Sequence, residues 1–344
     1  MLPLRRSTAF GSALAAVAGL GLLACQSGPE TEGGPETSLP ARVPSPLGYD
    51  GSAFEAAVLV TLPETPPEDH PPLHNVFALS ENIISGSEPE NEEAFRILQD
   101  KGVRTILSVD GKVPDAELAE KYGMKYVHVP IQYKGITEGE VEKITKTFRE
   151  QEGPFYVHCF HGQHRGPAAA AIGRVALDGV PREEAIAEMR QWCGTSKSYE
   201  GLYATVAFGD IPAEYQTRAL DWDFPSASPL EGVAGAMVHI ARSHDAIKAA
   251  TKNSWQPNPD HPDLNAFNES VKLADLFERT QHLDEVASEA EDFRQWIQDS
   301  VVQSVELRDT VRAMQEGSAT MSEADAAYKK LASTCSACHQ KYRN

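Results

Sequence analysis

The chain has 344 residues, which suits two domains of ordinary size, and its hydrophobic fraction of 41% is normal for a globular protein. Its net charge is −19 and its basic residues do not cluster along the sequence, so nucleic acid is not an expected partner. A phosphorylated ligand would have to be held by a local loop, because the chain as a whole repels anions.

An export signal occupies the start of the chain. Arg5 and Arg6 precede an apolar run over residues 9–23, which is too short for a comfortable membrane span. Residues 22–25 are Leu-Leu-Ala-Cys and resemble the bacterial lipobox, which implies a signal peptide over 1–24 and lipidation of the Cys25 thiol. Gln26 favours an outer-membrane anchor facing the periplasm. A signal peptide cut elsewhere and a membrane anchor are the alternatives.

Residues 25–72 are predicted to form a flexible tether. Residues 26–46 are rich in Gly, Pro, Ser, Thr and Glu, and a segment of this composition cannot bury a core. The pattern over 49–72 is ambiguous, because residues 56–60 have the composition of a strand but Pro-rich sequence follows them. The tether would let the folded part of the chain stand off the membrane.

An α/β pattern begins at residue 73 and continues to about residue 211. Predicted strands cover residues 76–79, 82–84, 103–109, 126–131 and 155–158, and predicted helices cover 90–101, 115–122, 139–152, 167–178, 181–192 and 199–209. The alternation predicts a mostly parallel sheet flanked by helices. In such a sheet ligands bind at the carboxyl ends of the strands, which is where Asp110 and residues 132–135 would lie.

The stretch over residues 156–167 reads as a strand end, a tight loop and a helix start. Cys159 and Arg165 stand at the two ends of this loop. Backbone N–H groups of such a loop point inward beside a helix N-terminus, so the loop suits a tetrahedral oxyanion. The same field, with His158 and Arg165 nearby, favours the thiolate form of Cys159. The predicted phosphate-binding loop consists of Phe160, His161, Gly162, Gln163, His164 and Gly166.

This stretch resembles the His-Cys-x5-Arg signature of the cysteine-dependent tyrosine and dual-specificity phosphatases, and the resemblance extends over about residues 73–210. It implies that Cys159 is the nucleophile and that Arg165 holds the phosphate. The alternative is a buried structural cysteine with a surface arginine. Cys193 is predicted to be a core residue, or else a thiol that resolves an oxidised Cys159.

Two positions depart from the pattern of this phosphatase family. The family supplies an Asp as general acid from a loop of the kind at 132–135, which here contains Gln132 and Lys134. Asp110 is the predicted substitute and Glu138 a second candidate, although Asp110 also suits a plain turn. Gly166 stands where the family often has Ser or Thr, whose hydroxyl helps the thiolate to leave, so the second chemical step is expected to be the slower one.

The remainder of the chain is predicted to be a linker over 212–228 and a helical domain over 229–344. Predicted helices cover residues 233–251, 264–286 and 289–314, and a fourth, capped by Ser322, runs to the end. Four helices of this length fit an antiparallel bundle. The expected fold class is therefore an α/β domain followed by an all-α four-helix bundle.

The fourth predicted helix carries the motif for covalent haem attachment. Residues 335–339 are Cys-Ser-Ala-Cys-His, so Cys335 and Cys338 can form thioethers with one haem c and His339 can bind the iron as an axial ligand. The alternatives for a Cys-x-x-Cys pair are redox chemistry and zinc. Zinc is disfavoured because no second ligand pair accompanies this one.

Residues 335–343 read Cys-x-x-Cys-His-x-x-Tyr-Arg, and Arg343 is the last residue of this pattern. With this ending, residues 230–344 resemble the cytochrome c-prime family. The resemblance implies a haem within the bundle, His339 as the proximal ligand, Arg343 close to the haem and a distal side facing the first helix. Met237 is then the candidate sixth ligand, or else packs against the haem and leaves an open site for a small gas molecule. His239 and His244 are rivals on the same helix. Members of this family often dimerise through the bundle.

Two functional hypotheses follow from these motifs. In the first, the chain is a periplasmic phosphatase that hydrolyses phosphate monoesters, with an activity tuned by the redox state of the haem. In the second, the phosphatase-like loop only binds an anion, and the protein serves in electron transfer with a redox partner protein or in gas binding. The missing loop Asp and Gly166 favour the second hypothesis, whereas the intact Cys159 and Arg165 favour the first.

Overall fold

The computed structural model describes residues 43–257 and 264–342. The predicted signal peptide, Cys25 and Arg343 lie outside these residues. Among the described helices, none combines the length and the apolar character needed to cross a membrane.

The first part of the described chain is built around a six-stranded sheet in the order β1-β2-β3-β6-β4-β5. Its strands are β1 (Glu68–His70), β2 (Leu73–Ala78), β3 (Ile83–Gly86), β4 (Thr105–Ser108), β5 (Lys125–His128) and β6 (Phe155–His158). The β1–β2 and β2–β3 pairs are antiparallel, and β3, β6, β4 and β5 run parallel. The predicted α/β class is confirmed, with a mixed sheet.

The register of the parallel strands positions the candidate site. His158, the last residue of β6, lies opposite Gly86 of β3 on one side and Ser108 of β4 on the other. The segments that follow these three strands therefore meet at one edge of the sheet, with Cys159 in the middle. This arrangement brings Asp110, two residues beyond β4, next to the loop after β6.

Helices cover both faces of this sheet. They are α1 (Ala53–Ala56), α2 (Glu92–Asp100), α3 (Ala116–Lys121), α4 (Glu138–Glu150), α5 (Arg165–Ala176), α6 (Arg182–Ala187) with a π-helical turn over Glu188–Trp192, a 3₁₀ turn over Lys197–Tyr199, and α7 (Glu200–Phe208). Every residue of α5 is buried, which explains its small side chains. A Cβ on Gly173 would come within 2.5 Å of the Phe148 ring, so α4 and α5 pack together closely.

Part of the predicted tether belongs to the folded domain. The carboxylate of Glu200 accepts hydrogen bonds from the N–H groups of Ala53, at 2.6 Å, and Phe54, at 3.1 Å, and so caps α1. Arg190 stacks on the Phe54 ring at 3.8 Å. The tether prediction is wrong for these residues, and residues 56–60 end a helix and enter a turn instead of forming a strand. The capping carboxylate lies far along the chain, so no local pattern reveals it.

The segment predicted as a linker contacts the sheet. It contains the short helix α8 (Glu214–Ala219), and residues 225–228 then lie along β5. The N–H of His128 donates to the carbonyl of Pro225 at 2.9 Å, and the N–H of Ser228 donates to Nδ1 of His128 at 3.0 Å. The last residues before the bundle are thereby fixed to the sheet edge that carries the candidate site.

The C-terminal part is the predicted antiparallel four-helix bundle. Its helices are α9 (Gly232–Lys252), α10 (Ala266–Gln281), α12 (Glu291–Gln315) and α13 (Met321–Tyr342), and the short α11 (Asp284–Ser288) lies between α10 and α12. The helix predicted over 264–286 is thus two helices. The cap of α13 is Thr320 and not Ser322, because the Glu323 carboxylate accepts from the N–H of Thr320 at 2.7 Å and the Glu323 N–H donates to the Thr320 hydroxyl at 3.3 Å.

Candidate active site and haem-binding site

The loop between β6 and α5 is tightly folded. Gly162 has a φ of +73°, and a Cβ at this position would lie 2.3 Å from the carbonyl carbon of Gly86. Only glycine combines this backbone conformation with such a close approach. The loop therefore lies directly against the segment that follows β3.

Three carbonyl groups of the loop accept hydrogen bonds from groups outside it. These bonds join the Glu88 N–H to Phe160 O at 3.1 Å, Asn75 Nδ2 to His161 O at 2.8 Å, and Thr195 Oγ1 to Gln163 O at 2.7 Å. Across a trans peptide, the carbonyl of one residue and the N–H of the next point in opposite directions. The N–H groups of His161, Gly162 and His164 are therefore turned toward the inside of the loop, where they can bind an anion.

Cys159 lies at the base of this loop. Its side chain is fully buried in the core beneath the first turn of α5. A Cβ on Gly166 would be 3.1 Å from the Cys159 backbone nitrogen, so the N-terminus of α5 closely approaches this cysteine. The helix terminus thus contributes positive potential where a thiolate would need it.

Asp110 organises the loop and does not suit the role of general acid. Its Oδ2 accepts from Arg165 at 2.5 Å and from the Phe160 N–H at 3.2 Å, and Lys272 Nζ lies 3.4 Å from its Oδ1. Burial alone would raise the pKa of Asp110, but the Arg165 and Lys272 charges outweigh it and hold that pKa far below its usual range. A carboxylate that stays ionised has no proton to donate, so the predicted acid role is corrected.

The second candidate acid, Glu138, also receives no support from the geometry. It is an exposed residue in the first turn of α4, with Thr137 as the N-cap. It is absent from the walls of the cavity over the loop described below.

An aromatic platform fixes the plane of the Arg165 guanidinium. The Tyr133 ring lies 4.4 Å from the guanidinium carbon, and Tyr199 packs against Tyr133 with ring centroids 4.7 Å apart. His164 in turn contacts Tyr199 at 4.6 Å and accepts from the Ser196 N–H at 3.4 Å. The loop that contains Tyr133 could be predicted from the sequence, but the role of Tyr133 could not, because its contact with Arg165 depends on how two separate loops meet.

Two histidines beside the site are buried and neutral. Burial lowers the pKa of His158 to about 3 and that of His128 to about 4. His158 Nε2 lies 2.6 Å from the Tyr126 hydroxyl. His128 accepts from Ser228 through Nδ1, so its Nε2 carries the proton and donates to the Asp110 carbonyl at 2.8 Å. His158 therefore carries no positive charge beside Cys159, and the prediction that it favours the thiolate by its charge is wrong.

The helical bundle closes the mouth of the loop. A cavity of about 290 Å³ lies between the two parts of the chain. Its cationic walls come from Lys134 and Arg165 on the sheet side and from Arg242, Lys272 and Arg279 on the bundle side. These residues are distant from one another in the sequence, which is why the sequence did not suggest a basic cluster. They come together only in the folded chain.

Cys193 is a core residue. It is buried in the same hydrophobic cluster as Cys159, and both are free thiols. Burial, with the nearby Glu188 carboxylate, raises the pKa of Cys193 well above its usual range. Its thiol therefore stays protonated and unreactive in this environment.

The haem-attachment residues lie at one end of the bundle. Cys335 and Cys338 are free, half-buried thiols on one face of α13, and His339 is exposed. Met237 of α9 contacts the apolar clusters that include both cysteines. Several apolar side chains here are only half-buried, namely Val233, Met237, Leu283, Cys338 and Tyr342. A flat apolar group between α9 and α13 would cover them, so these residues fit a haem.

The two rival histidines of α9 have different surroundings. His239 lines the cavity over the phosphatase-like loop, where burial and the charges of Arg242 and Arg279 lower its pKa. His244 stacks on Tyr328 of α13 at 5.3 Å, two turns away from the level of Met237 along α9. Met237 contacts the clusters that contain Cys335 and Cys338, while burial, together with the charge of His339, lowers the pKa of His244.

Comparison with known proteins identifies both halves of the chain. Residues 84–174 match the family described as polymorphic toxin system, DSP-PTPase phosphatase, and residues 231–343 match the cytochrome c-prime family. The chain therefore contains a phosphatase-like domain followed by a cytochrome c-prime-like domain, as the sequence motifs predict. The second match also indicates haem binding.

The relatives of the first domain include a phosphatase of Pseudomonas aeruginosa. The dual specificity protein phosphatase TpbA from two strains of this organism is 26% identical over 122 and 121 residues, which is 35% of this chain. The chain spans about half the length of these relatives, 55% in both cases.

Solved structures of TpbA also resemble this chain. The crystal structure of P. aeruginosa TpbA has 23% identity and a TM-score of 0.37, covering 46% of this chain and 96% of the other. A structure of its Cys-to-Ser variant in complex with pTyr has 21% identity and a TM-score of 0.38, covering 46% and 98%.

Proposed function

We propose that the phosphatase-like domain hydrolyses phosphate monoesters through a cysteinyl-phosphate. The Cys159 thiolate attacks phosphorus, the bond to the ester oxygen breaks, and the leaving oxygen takes a proton from solvent. Water then attacks the phosphoenzyme, which releases inorganic phosphate and restores the thiolate. Inward N–H groups of the loop and the Arg165 guanidinium stabilise the charge on the transferred phosphoryl group.

The main support for this proposal is that the loop and Arg165 are held in place by several groups that do not themselves bind phosphate. Asp110 holds Arg165, and donors outside the loop hold its carbonyl groups. Such preorganisation lowers the cost of binding a phosphoryl group, because no reorientation is needed when the anion arrives. A merely structural cysteine would not require it.

Among the described residues, neither Asp110 nor His239 suits the role of proton donor for the leaving oxygen. Asp110 is ionised, and the lowered pKa of His239 keeps that imidazole neutral at pH 7. We therefore expect the rate to depend steeply on the acidity of the leaving group. Aryl phosphates should be good substrates, and phosphates of simple alcohols should be poor ones.

The test is hydrolysis of para-nitrophenyl phosphate by the full chain. Replacement of Cys159 by Ser should abolish release of the phenol, and Arg165→Lys should reduce it by about a hundredfold or more, because a lysine cannot form the two parallel bonds of a guanidinium. Cys193→Ser, which changes another buried thiol of the same core, is the control and should retain activity. Equal activity of the Cys159→Ser chain would refute the proposal.

A second candidate function is anion binding without turnover. The ionised state of Asp110 favours it, since a site without a proton donor hydrolyses most phosphate esters slowly. In this case the full chain would bind phosphate at the loop, and both Cys159→Ser and the unaltered chain would release phenol at the same background rate.

For the second domain we propose one covalently attached haem c. Cys335 and Cys338 would form the thioethers, His339 would bind the iron, and Met237 would face the opposite side of the haem. The haem would supply one-electron transfer with a redox partner protein, or a binding site for a small gas molecule. Through α9, which carries both Met237 and Arg242, the state of the haem could reach the phosphatase-like site.

The absorption spectrum tests the haem proposal. A covalently attached haem stays with the chain after denaturation and solvent extraction, so its absorbance remains in the protein fraction, and Cys338→Ser should lose one of the two thioethers. Met237→Leu should alter the spectrum or the affinity for carbon monoxide, whereas His239→Leu, on the cavity side of the same helix, should not. If neither the spectrum nor the affinity for carbon monoxide changed in Met237→Leu, Met237 would not belong to the haem site.

We further propose that the chain is a lipoprotein of the bacterial cell envelope. Its support is the run at residues 9–23 followed by Leu-Leu-Ala-Cys, with lipidation at Cys25 and an outer-membrane anchor facing the periplasm. Covalent haem attachment agrees with export. Metabolic labelling with a fatty acid should mark the exported chain and should not mark a Cys25→Ala variant.

A further inference from the structure

The cavity over the phosphatase-like loop contains more cations than one phosphate group needs. Arg165 and Lys272 form its buried floor, with 3% and 6% of their surfaces exposed. Arg279 lines a wall and is half-buried, while Lys134 and Arg242 are exposed at the rim. Positive charge therefore continues from the loop outward to the opening, in a protein whose net charge is −19.

The cations of the floor and the wall have acidic partners. Lys272 lies 3.0 Å from Glu269 and 3.4 Å from Asp110, and Arg279 lies 3.7 Å from Asp275. With the Asp110–Arg165 pair at 2.5 Å, these carboxylates neutralise much of the charge at the floor, so the floor suits a single phosphoryl group held by Arg165 and the N–H groups of the loop.

The cations of the rim differ from those of the floor. Among the residues that the structure describes, no carboxylate pairs with Lys134 or Arg242. Arg242 contacts the neutral side-chain amide of Gln132. When this amide is oriented so that its oxygen faces the guanidinium, the oxygen lies 3.0 Å from Arg242 Nη2. Two cations from different domains, neither of them neutralised, thus face the same opening.

We propose that Arg242 and Lys134 form a second anion subsite, so that the substrate is a small molecule with two phosphate groups. One phosphate would be the ester at Cys159 and Arg165, and the other would be held at the rim. This inference rests on the proposed hydrolase function and names its substrate class. A cavity of about 290 Å³ lies at the small end of ligand sites, so it suits a metabolite better than a segment of a protein.

The subsite would also explain why the two domains are joined in one chain. Arg242 belongs to α9 of the cytochrome-like bundle, and Lys134 belongs to the loop after β5. Neither domain alone carries both residues, so selection of the second phosphate requires the two domains together.

Binding to the full chain with Cys159→Ser tests the subsite without turnover. Isothermal titration calorimetry would compare fructose bisphosphate, which has a phosphate at each end, with fructose monophosphate, which has one. We expect the bisphosphate to bind at least about tenfold more tightly, because charge-assisted bonds to a second phosphate add to the first. Adding Arg242→Gln should remove most of this preference. Lys248→Gln, which deletes a charge from the same helix away from the cavity, should keep it.

The outcomes separate the subsite from the hydrolase. Equal affinities for the two sugars, or a preference that survives both Arg242→Gln and Lys134→Gln, would overturn the subsite even if the unaltered chain hydrolyses aryl phosphates. Tighter binding of phosphotyrosine than of the bisphosphate would also overturn it. A bisphosphate preference that Arg242→Gln abolishes would support the subsite even if the unaltered chain releases no phosphate, and then only the hydrolase proposal would fail.

Discussion

Asp110 and Arg165 form a buried ion pair at the centre of the phosphatase-like site. The Asp110 Oδ2 atom accepts from the guanidinium at 2.5 Å, and the same oxygen accepts from the backbone N–H of Phe160. One carboxylate thus joins the two ends of the phosphate-binding loop. It also contacts Lys272 of the helical bundle, so the ion pair couples the loop to the second domain.

Replacement of Asp110 by Asn should weaken both the fold and the loop. The Arg165 and Lys272 charges would lose their buried partner, and we expect the free energy of unfolding to fall by about 3 kcal/mol. Activity should fall for all leaving groups alike, whereas loss of a general acid would spare the most acidic phenols. Chemical unfolding and rates for a series of aryl phosphates measure the two effects.

Asp115→Asn provides the matched control for this substitution. Asp115 caps α3 through the N–H of Leu118, and Asn is an equally good cap, so stability and activity should be unchanged. If Asp110→Asn instead removed the basic limb of the pH–rate profile and was rescued by acidic phenols, Asp110 would be the general acid after all.

Replacement of Gly162 by Ala should disrupt the loop. The added Cβ would meet the Gly86 carbonyl carbon at 2.3 Å in addition to the unfavourable positive φ. Gly179→Ala is the matched control, because Gly179 has a similar φ of +68° but no atom within 4 Å of its Cβ position. We expect a loss of about 1 kcal/mol in the control and at least twice that in Gly162→Ala, measured by chemical unfolding. Equal losses would mean that the loop can move away from β3.

Replacement of Gly166 by Ser should speed the second chemical step. A hydroxyl at the start of α5 can donate to the departing Cys159 thiolate, while the new Cβ fits only tightly, 3.1 Å from the Cys159 nitrogen. The unaltered chain should therefore give a burst of phenol followed by a slower steady rate, and Gly166→Ser should show a smaller burst with a faster steady rate. Gly166→Ala adds the Cβ without the hydroxyl and should keep the burst. A smaller burst in both variants would attribute the effect to crowding.

The stability of the chain should fall as the pH is lowered from about 7 to about 5. His128 and His158 have folded pKa values of about 4 and about 3, below their ordinary value of 6.5, because burial favours the neutral form. The unfolded chain therefore binds protons first, and each histidine should remove about 2 kcal/mol of stability between pH 6.5 and pH 5. Chemical unfolding at several pH values measures this slope.

The contribution of His128 can be isolated by substitution. His128→Asn should make the slope shallower between the two pH values, although the chain becomes less stable at both. His282 is exposed, and His282→Asn should leave the slope unchanged. A slope that is insensitive to His128→Asn would show that this imidazole does not take up a proton on unfolding.

The parts of the site that are local in sequence could be predicted from it. Cys159 and Arg165 belong to one loop whose flanking strand and helix have clear patterns, and Cys335, Cys338 and His339 form one contiguous motif. The mostly parallel sheet could also be predicted, from the alternation of strands and helices. These features depend on short-range chemistry, which a single sequence displays.

The predictions that the structure contradicts depend on contacts between residues that are distant in the sequence. Asp110 was predicted to be a proton donor, but Lys272 of the other domain lies 3.4 Å from its carboxylate and helps to keep it ionised. The tether prediction failed because Glu200, far along the chain, caps α1. The cationic cavity could not be foreseen, since the basic residues that form it never lie close together in the sequence.

Trapping of the phosphoenzyme would show whether Cys159 is the nucleophile. The full chain would be mixed rapidly with para-nitrophenyl phosphate, quenched in denaturant and digested, and the peptide that contains Cys159 would be examined by mass spectrometry. We predict one added phosphoryl group on the Cys159 sulfur, in an amount that matches the burst of phenol, and none in Cys159→Ser. Phenol release with an unmodified Cys159 peptide, or with the phosphoryl group on another residue, would contradict it.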